Sequence, residues 1–105
     1  MYEIEGGIQI FELVKTKGCD MDRMDIPPFT TMQIHYHKTF DEIFYVLDGK
    51  GVAESNGETF EIEKGGSFVV NRGEFHAVST RGEALSVLTI CLPHFDLRDI
   101  FYDKC

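Results

Sequence analysis

Several residue types are scarce or missing in this chain of 105 residues. Tryptophan is absent, proline occurs three times, and the three cysteines (Cys19, Cys91 and Cys105) are an odd number that cannot form a fully paired disulfide framework. No apolar run approaches the ~20 residues of a membrane-spanning helix. The first residues lack the basic start and apolar stretch of a signal peptide. We therefore expect a cytoplasmic protein with no membrane partner.

Basic residues are also few. Lys and Arg number 10 against 18 Asp and Glu, which gives a formal net charge of -8. A surface of this sign repels phosphate backbones, so we expect no nucleic-acid partner. Nothing in the sequence suggests a helix pair for DNA binding, which argues against a transcription regulator in this chain.

Glycine and phenylalanine are plentiful, with 10 Gly and 9 Phe in a chain of one-domain length. Short stretches rich in Val, Ile, Phe, Tyr and Thr lie between glycine turns, a pattern typical of strands, and no segment keeps helical spacing over three turns. The pattern predicts an all-β protein with little or no helix. The predicted strands lie near residues 8–16, 30–37, 42–48, 51–55, 58–62, 67–70, 75–80 and 84–92. Asn56-Gly57 predicts a type I′ hairpin turn, because both residues tolerate positive φ.

Two segments depart from this pattern. Residues 19–28 are acidic and end in Pro27-Pro28, which cannot lie inside a sheet, so we expect an exposed loop at the barrel rim. Their aspartates lack the spacing of an EF-hand, which disfavours a calcium site. The tail, residues 93–105, is too apolar to be left in water. We expect it to pack on the barrel wall or across a subunit interface, and either segment could cover a pocket.

Three of the four histidines fall in an arrangement that suits a metal ion. His35 and His37 are separated by one residue, so on a strand both imidazoles point to the same face. Glu42 begins the next strand with Asp41 pointing away, and His76 opens a later strand. Imidazole and carboxylate together suit a first-row divalent ion, namely Fe, Mn, Zn, Ni, Co or Cu. Taken alone, His76 would more often be a hydrogen-bonded rim histidine.

The same residues carry a family resemblance. Residues 29–49 resemble the first cupin motif and residues 65–80 resemble the second. The matching motif residues are His35, His37, Glu42, Gly49, Gly65, Gly73 and His76. The resemblance implies that residues 1–105 form a single cupin domain, a double-stranded β-helix or jelly-roll barrel. It also implies that the metal ligands are His35, His37, Glu42 and His76.

Three positions depart from the family pattern. Phe29 stands where the first motif has glycine, Asn71 where the second has proline, and Thr80 where asparagine is sometimes found. None of the three is a ligand, so the predicted metal site is unaffected. Loss of the proline predicts a looser turn at residues 70–73.

Strand alternation nominates further residues around the ion. Gln33 shares the histidine face and could hydrogen-bond a ligand or a metal-bound water. Phe44, Val46 and Val78 would line the pocket with apolar surface, as ligand pockets usually have. The alternative is that they simply fill a small barrel.

Three functions remain open. The first is a metal-dependent enzyme acting on a small polar metabolite: a dioxygenase with iron, or an isomerase, lyase or decarboxylase with manganese, zinc or nickel. The second is a non-catalytic module that binds or senses a sugar or small acid. The third is a protein in which the metal is structural. We favour them in that order, and the motifs do not select a reaction because one fold hosts many.

We also expect a homodimer. A barrel of this size has open sheet edges. The resemblance to small cupins also implies that two copies pair as a homodimer through sheet extension. Residues 8–16 are the edge expected to pair.

Overall fold

The computed structural model describes residues 1–102, more than half of which lie in strands. The ten strands are β1 (Tyr2–Glu3), β2 (Gln9–Lys15), β3 (Asp20–Ile26), β4 (His35–Tyr36), β5 (Asp41–Ser55), β6 (Glu58–Glu63), β7 (Ser67–Val70), β8 (His76–Ser79), β9 (Leu85–Leu92) and β10 (Phe101–Tyr102). Within this range the helical content is one 3₁₀ turn at Glu5–Gly7. No helix in residues 1–102 is long and apolar enough to cross a membrane.

The strands pair antiparallel in the order β1-β2-β3-β9-β5-β8-β4-β10, and β6 and β7 also pair with β5. β5 joins the two halves of the barrel: residues 41–49 pair with β9, and residues 52–55 pair with β8. The predicted all-β, double-stranded β-helix fold is therefore confirmed. The Asn56-Gly57 turn is confirmed as well, since the two residues have φ angles of 51° and 82°.

β5 is one bent strand, whereas the sequence predicted two strands separated by a turn at residues 48–51. The pairing register with β9 shifts between Val46 and Asp48, and Gly49 has a φ of 85°. A Cβ on Gly49 would lie 2.0 Å from the carbonyl oxygen of Ala84. The glycines therefore let the strand bend and pass close to its neighbour instead of reversing the chain.

The prediction of an exposed loop at residues 19–28 is wrong. Asp20–Ile26 is a strand paired on both sides, with β2 and with β9. Its alternate side chains are buried, namely Asp20, Asp22, Met24 and Ile26. The acidic charge and the two prolines suggested a loop. The segment is instead a strand, in which buried and more exposed side chains alternate with period two, and Pro27-Pro28 only ends it.

The predicted strand at 30–37 is also shorter than expected. Only His35 and Tyr36 form a strand here, and an isolated bridge joins Thr31 to Ser79. Phe29, which precedes this segment, has a φ of 55° and is 81% exposed. A residue with a Cβ therefore occupies a left-handed backbone conformation that favours glycine.

We expect Phe29→Gly to raise the free energy of unfolding by about 0.5–1 kcal/mol. The left-handed conformation costs a non-glycine residue roughly 1–2 kcal/mol, and the greater freedom of glycine in the unfolded chain returns about 0.4–1 kcal/mol of this. Urea denaturation of the metal-free protein measures the change. Phe29→Ala is the control, because it removes the ring and keeps the strained conformation. A loss of stability in both variants would show that the ring contributes more than its exposure suggests.

Candidate metal centre

The three predicted histidines converge inside the barrel. His35 lies on β4 directly opposite His76 on β8, and His37 follows the end of β4. Each offers one ring nitrogen, and these three atoms lie within 4.8 Å of one another. His37 and His76 are buried, and His35 is half-buried.

Backbone carbonyls orient all three imidazole rings. The Nδ1 atom lies 2.9 Å from the Gln33 carbonyl oxygen in His35, 2.7 Å from that of Asp99 in His37, and 3.1 Å from that of Glu74 in His76. A carbonyl oxygen only accepts hydrogen bonds, so each Nδ1 carries a proton and donates it. The Nε2 atoms are left to face the common centre, the arrangement by which outer hydrogen bonds prepare histidines for a metal.

Glu42 brings a buried negative charge to the same centre. Its Oε1 lies 3.4 Å from Nε2 of His37 and 3.5 Å from Nε2 of His76. Burial favours the neutral acid, but the close contacts and charges of the two histidines outweigh it and lower the pKa of Glu42 to about 2. Glu42 therefore stays ionised and attracts a cation to this position.

The same contacts separate the pKa values of two histidines. Burial and the neighbouring His76 lower the pKa of His35 to about 4. Burial also acts to lower the pKa of His37, but the hydrogen bond and charge of Glu42, with the Asp99 carbonyl, outweigh it and raise that pKa. His35 is therefore a neutral imidazole, while the Glu42 carboxylate favours positive charge beside His37.

The residues fit a divalent transition metal. The Nε2 atom of His76 is buried and makes no hydrogen bond within the described residues. A buried polar atom left in this way is costly unless an unseen partner satisfies it. The three imidazole nitrogens, with the Glu42 carboxylate oxygen within 3.5 Å of two of them, form a donor set that first-row divalent ions accept.

Asp41 points away from this centre. It accepts hydrogen bonds from Arg72, at 2.8 Å from the backbone nitrogen and 3.1 Å from Nε. Hydrogen bonds from Arg72 hold the pKa of Asp41 below its ordinary value. The strand phase that selected Glu42 over Asp41 is therefore the phase that the structure has.

A cavity of about 310 Å³ adjoins the four residues. Its lining is mainly apolar, with Met24, Met32 and Phe44 contributed by the barrel. Glu5, Asp22 and Thr89 also line it, and none of the described lining residues is a lysine or an arginine. The cavity is therefore apolar with an acidic character.

The four residues nominated for the pocket lie in different places. Phe44 lines the cavity, whereas Val46 and Val78 are 0% and 1% exposed in the packed core and are not among its lining residues. Gln33 is exposed, and only its backbone carbonyl contacts His35. The difference arises because Gln33 precedes the short strand β4, so strand alternation does not extend to it, and because the barrel is solid beyond Phe44.

The tail forms one wall of the cavity. Phe95, Leu97, Ile100 and Tyr102 line it, and β10 pairs with β4. Within one chain, residues 93–102 pack on the barrel wall, and packing across a subunit interface stays a prediction. Residues 103–105, including Cys105, lie outside the described residues.

Asp99 attaches this tail to the metal centre. Its carboxylate accepts hydrogen bonds from the backbone nitrogens of Lys38, at 2.9 Å, and Thr39, at 2.8 Å. Its carbonyl accepts from His37. Burial of Asp99 favours the neutral acid, but the hydrogen bonds from Thr39 and Lys38 outweigh it and lower the pKa. The tail thereby fixes both the chain after His37 and the His37 ring.

We expect Asp99→Ala to weaken metal binding by roughly 10–100-fold, because it loosens an outer contact of His37. It should also lower the free energy of unfolding by about 1–3 kcal/mol, since two backbone donors lose their acceptor. Asp99→Asn keeps one acceptor oxygen, so its metal affinity and its stability should fall between those of the wild type and Asp99→Ala. Competition with a chromophoric chelator measures metal affinity, and urea denaturation measures stability. Loss of stability with unchanged metal affinity would show that Asp99 does not position His37.

Asp22 is a cavity residue that no motif in the sequence indicated. This residue is 4% exposed and lines the cavity. The hydroxyl of Thr89 contacts its backbone carbonyl, and within residues 1–102 no hydrogen bond reaches its carboxylate. Burial, followed by the charges of Asp20, Glu12 and Glu42, raises the pKa of Asp22 to about 6. The available signal was the alternation of residues 20–26, which the expected loop concealed.

Comparison with known proteins agrees with this architecture. The cupin domain family matches residues 22–91, so the chain belongs to the cupin family. The oxalate-binding protein of Thermotoga maritima is 35% identical over 71 residues, which cover 68% of this chain and 59% of that protein. The tetracenomycin polyketide synthase protein TcmJ of Streptomyces glaucescens is 29% identical over 62 residues, 59% of this chain and 42% of that one. The matches thus span 59% and 42% of these relatives.

Solved structures share the fold over most of the chain. KdgF from Halomonas sp. superposes with a TM-score of 0.81 at 26% identity, covering 90% of this chain and 86% of that one. A structure described as a predicted oxalate decarboxylase from Thermotoga maritima gives a TM-score of 0.74 at 27% identity, covering 82% and 80%. The likeness therefore covers most of the chain.

Proposed function

We propose that this protein is a metal-dependent enzyme that acts on a small molecule held in the cavity. His35, His37, Glu42 and His76 would hold one divalent transition-metal ion. The observation that carries the proposal is the convergence of three imidazoles and an ionised, buried carboxylate beside a cavity large enough for a ligand. Four protein ligands leave room for a substrate on an octahedral ion, and catalytic sites keep such positions open.

The chain's own residues have distinct tasks in this proposal. The carbonyls of Gln33, Asp99 and Glu74 hold the rings so that Nε2 is the available atom. Glu42 supplies the negative charge that favours a divalent cation in a buried position. When bound, the ion would supply Lewis-acid chemistry toward a carbonyl or carboxylate, or redox chemistry with dioxygen if it is iron.

A second candidate is a non-catalytic module that binds a small molecule around the ion. It is favoured by the relative whose name is oxalate-binding protein. The two functions differ in turnover: an enzyme consumes its ligand, whereas a binding module releases it unchanged.

Elemental mass spectrometry on tag-free protein, purified without chelator, tests the proposal. We expect near-stoichiometric transition metal, lost in a His35→Ala/His76→Ala control. Iron would direct assays to oxygen-dependent chemistry, and manganese, zinc or nickel to isomerase, lyase and decarboxylase assays. No metal in the wild-type protein, even after reconstitution, would contradict the assignment of the site.

A homodimer formed through β2 is also proposed. β1 pairs only with Gln9 and Ile10, so the outer edge of β2 beyond them has no partner strand within residues 1–102. Leu13 and Val14 on this stretch are each 47% exposed. Unpaired edges of this kind favour extension of the sheet by a second copy. We expect a dimer in analytical ultracentrifugation at micromolar concentration, and a monomer would contradict it.

A further inference from the structure

We propose that the ligand of this cavity is a largely apolar molecule, uncharged or cationic at the end that faces Asp22, and that Asp22 contacts it directly. This inference rests on the proposed function, because the other end of the ligand would bind the metal held by the four centre residues. It sets the ligand apart from small dicarboxylic acids such as oxalate.

The charges around the cavity disfavour a second anionic group on the ligand. Its acidic lining residues are Glu5, Asp22 and Glu42, and its described lining contains no lysine or arginine to balance them. Glu42 already offsets part of the charge of a divalent ion. A second anionic group on a ligand would therefore lie among carboxylates in an apolar enclosure, where repulsion is poorly screened.

Asp22 lies some distance from the metal centre along the sheet. Asp22 pairs with Thr89 on β9, and Thr89 pairs with Phe44 on β5, so Asp22 lies two strands from the strand of Glu42. Two strand spacings amount to about 10 Å. Asp22 also lines the cavity. It is therefore on the cavity wall, at a distance that a small molecule bound to the metal can span.

The carboxylate of Asp22 is free to take a ligand. Its neighbour on the same face, Asp20, accepts hydrogen bonds from His94 at 2.9 Å and from the backbone nitrogen of Phe95 at 3.0 Å. Asp22 has no such contact in residues 1–102, although it is buried to the same degree. Lys15 partly offsets its charge, but it is exposed and is not among the lining residues of the cavity. Its oxygens are not among the fully buried polar atoms of residues 1–102 that lack a partner, so they remain accessible to a donor on a ligand.

The rest of the lining indicates the body of the ligand. Met24 and Met32 of the barrel line the cavity together with Phe95, Leu97 and Ile100 of the tail. These side chains offer dispersion contacts and no hydrogen bonds. A ligand rich in hydroxyl groups would leave most of its polar groups unpaired here, whereas an aromatic or aliphatic body would not.

Three probes with the same chelating group separate the possibilities: methylcatechol, dopamine and protocatechuate. Each has a catechol to bind the metal, and the opposite end is neutral, cationic or anionic respectively. Isothermal titration of the zinc-loaded protein, without oxygen and at a pH above the range in which Asp22 titrates, gives the three affinities. Zinc is suitable because it has no redox chemistry. Zinc content is measured first.

We expect methylcatechol and dopamine to bind at least roughly 10-fold more tightly than protocatechuate. Asp22→Asn should reduce the preference for dopamine over protocatechuate by about 10-fold, and Asp48→Asn, an exposed aspartate on β5, should leave it unchanged. Any one of three results would overturn this inference and leave the proposed function standing. They are equal or tighter binding of protocatechuate, an unchanged preference in Asp22→Asn, and no binding of any probe to zinc-loaded protein. Failure of zinc to bind would overturn the proposed function and, with it, this inference.

Discussion

His37→Ala should lower the affinity for the metal by roughly 10²–10⁴-fold, or about 3–5.5 kcal/mol. The change removes one of four ligands and leaves Glu42 without the imidazole that lies 3.4 Å from it. The fold should survive, because the strand ladders and the apolar core do not depend on the centre. Chelator competition measures affinity, and far-ultraviolet circular dichroism of the metal-free protein measures the β structure.

Asp41→Asn is the matched control for this prediction. Asp41 adjoins the ligand Glu42 in sequence but binds Arg72 at the surface, so metal affinity should change by less than about 3-fold. Because the His37 ring stacks on Phe40 with centroids 4.2 Å apart, His37→Ala also removes packing. His35→Ala, at a half-buried position, provides a second variant if stability is lost. Unchanged affinity in both would contradict the ligand set, and an unfolded metal-free wild type would make the metal structural.

Asp22→Asn should stabilise the metal-free protein at neutral pH and have little effect near pH 4. The pKa of Asp22 is raised from 3.8 to about 6 in the folded state, so the native protein holds a proton that the unfolded chain releases in this window. Stability from this group is therefore present below about pH 4 and is lost as the pH rises to about 6. Asparagine cannot ionise and avoids the loss.

The rise in the pKa of Asp22 corresponds to a loss of roughly 3 kcal/mol in the free energy of unfolding if water does not screen the charge. Water in the open cavity does screen it, so we expect Asp22→Asn to raise the free energy of unfolding by about 1–2 kcal/mol. Urea denaturation near pH 5 and pH 8 measures it as the difference between variant and wild type, in which the contributions of the histidines cancel. Asp48→Asn, at an exposed position, should show no such dependence. A variant less stable than wild type at both pH values would mean that a partner stabilises the ionised carboxylate.

A buried carboxylate that lowers stability points to a role in ligand binding. Strained and desolvated charges are retained at functional sites, where ligand contacts offset their cost. The relative named oxalate-binding protein matches this chain at 35% identity. The acidic and apolar lining of the cavity in this chain favours a class of ligand other than oxalate.

Local spacing allowed much of the site to be predicted from the sequence. The period of two in a strand places His35 and His37 together and separates Glu42 from Asp41, and the structure has this phase. The hairpin at Asn56-Gly57 follows from the φ angles that these residues tolerate. Such features depend only on neighbouring residues, so backbone geometry determines them wherever the segment lies in the fold.

Long-range pairing decided the rest, and the sequence did not reveal it. Residues 20–26 are a strand because β2 and β9 lie on either side of them, and partners on both sides outweigh an acidic composition. The tail reaches the metal centre because the Asp99 carboxylate accepts hydrogen bonds from the backbone amides of Thr39 and Lys38. These two residues are 60 and 61 positions away from Asp99 in the chain. Asp22 faces the cavity because the pairing of its strand with β2 and β9 places it there. The sequence by itself thus determined the fold class and the candidate ligands, while only the tertiary structure decided the walls of the cavity and their charge, because those walls join segments distant in the chain.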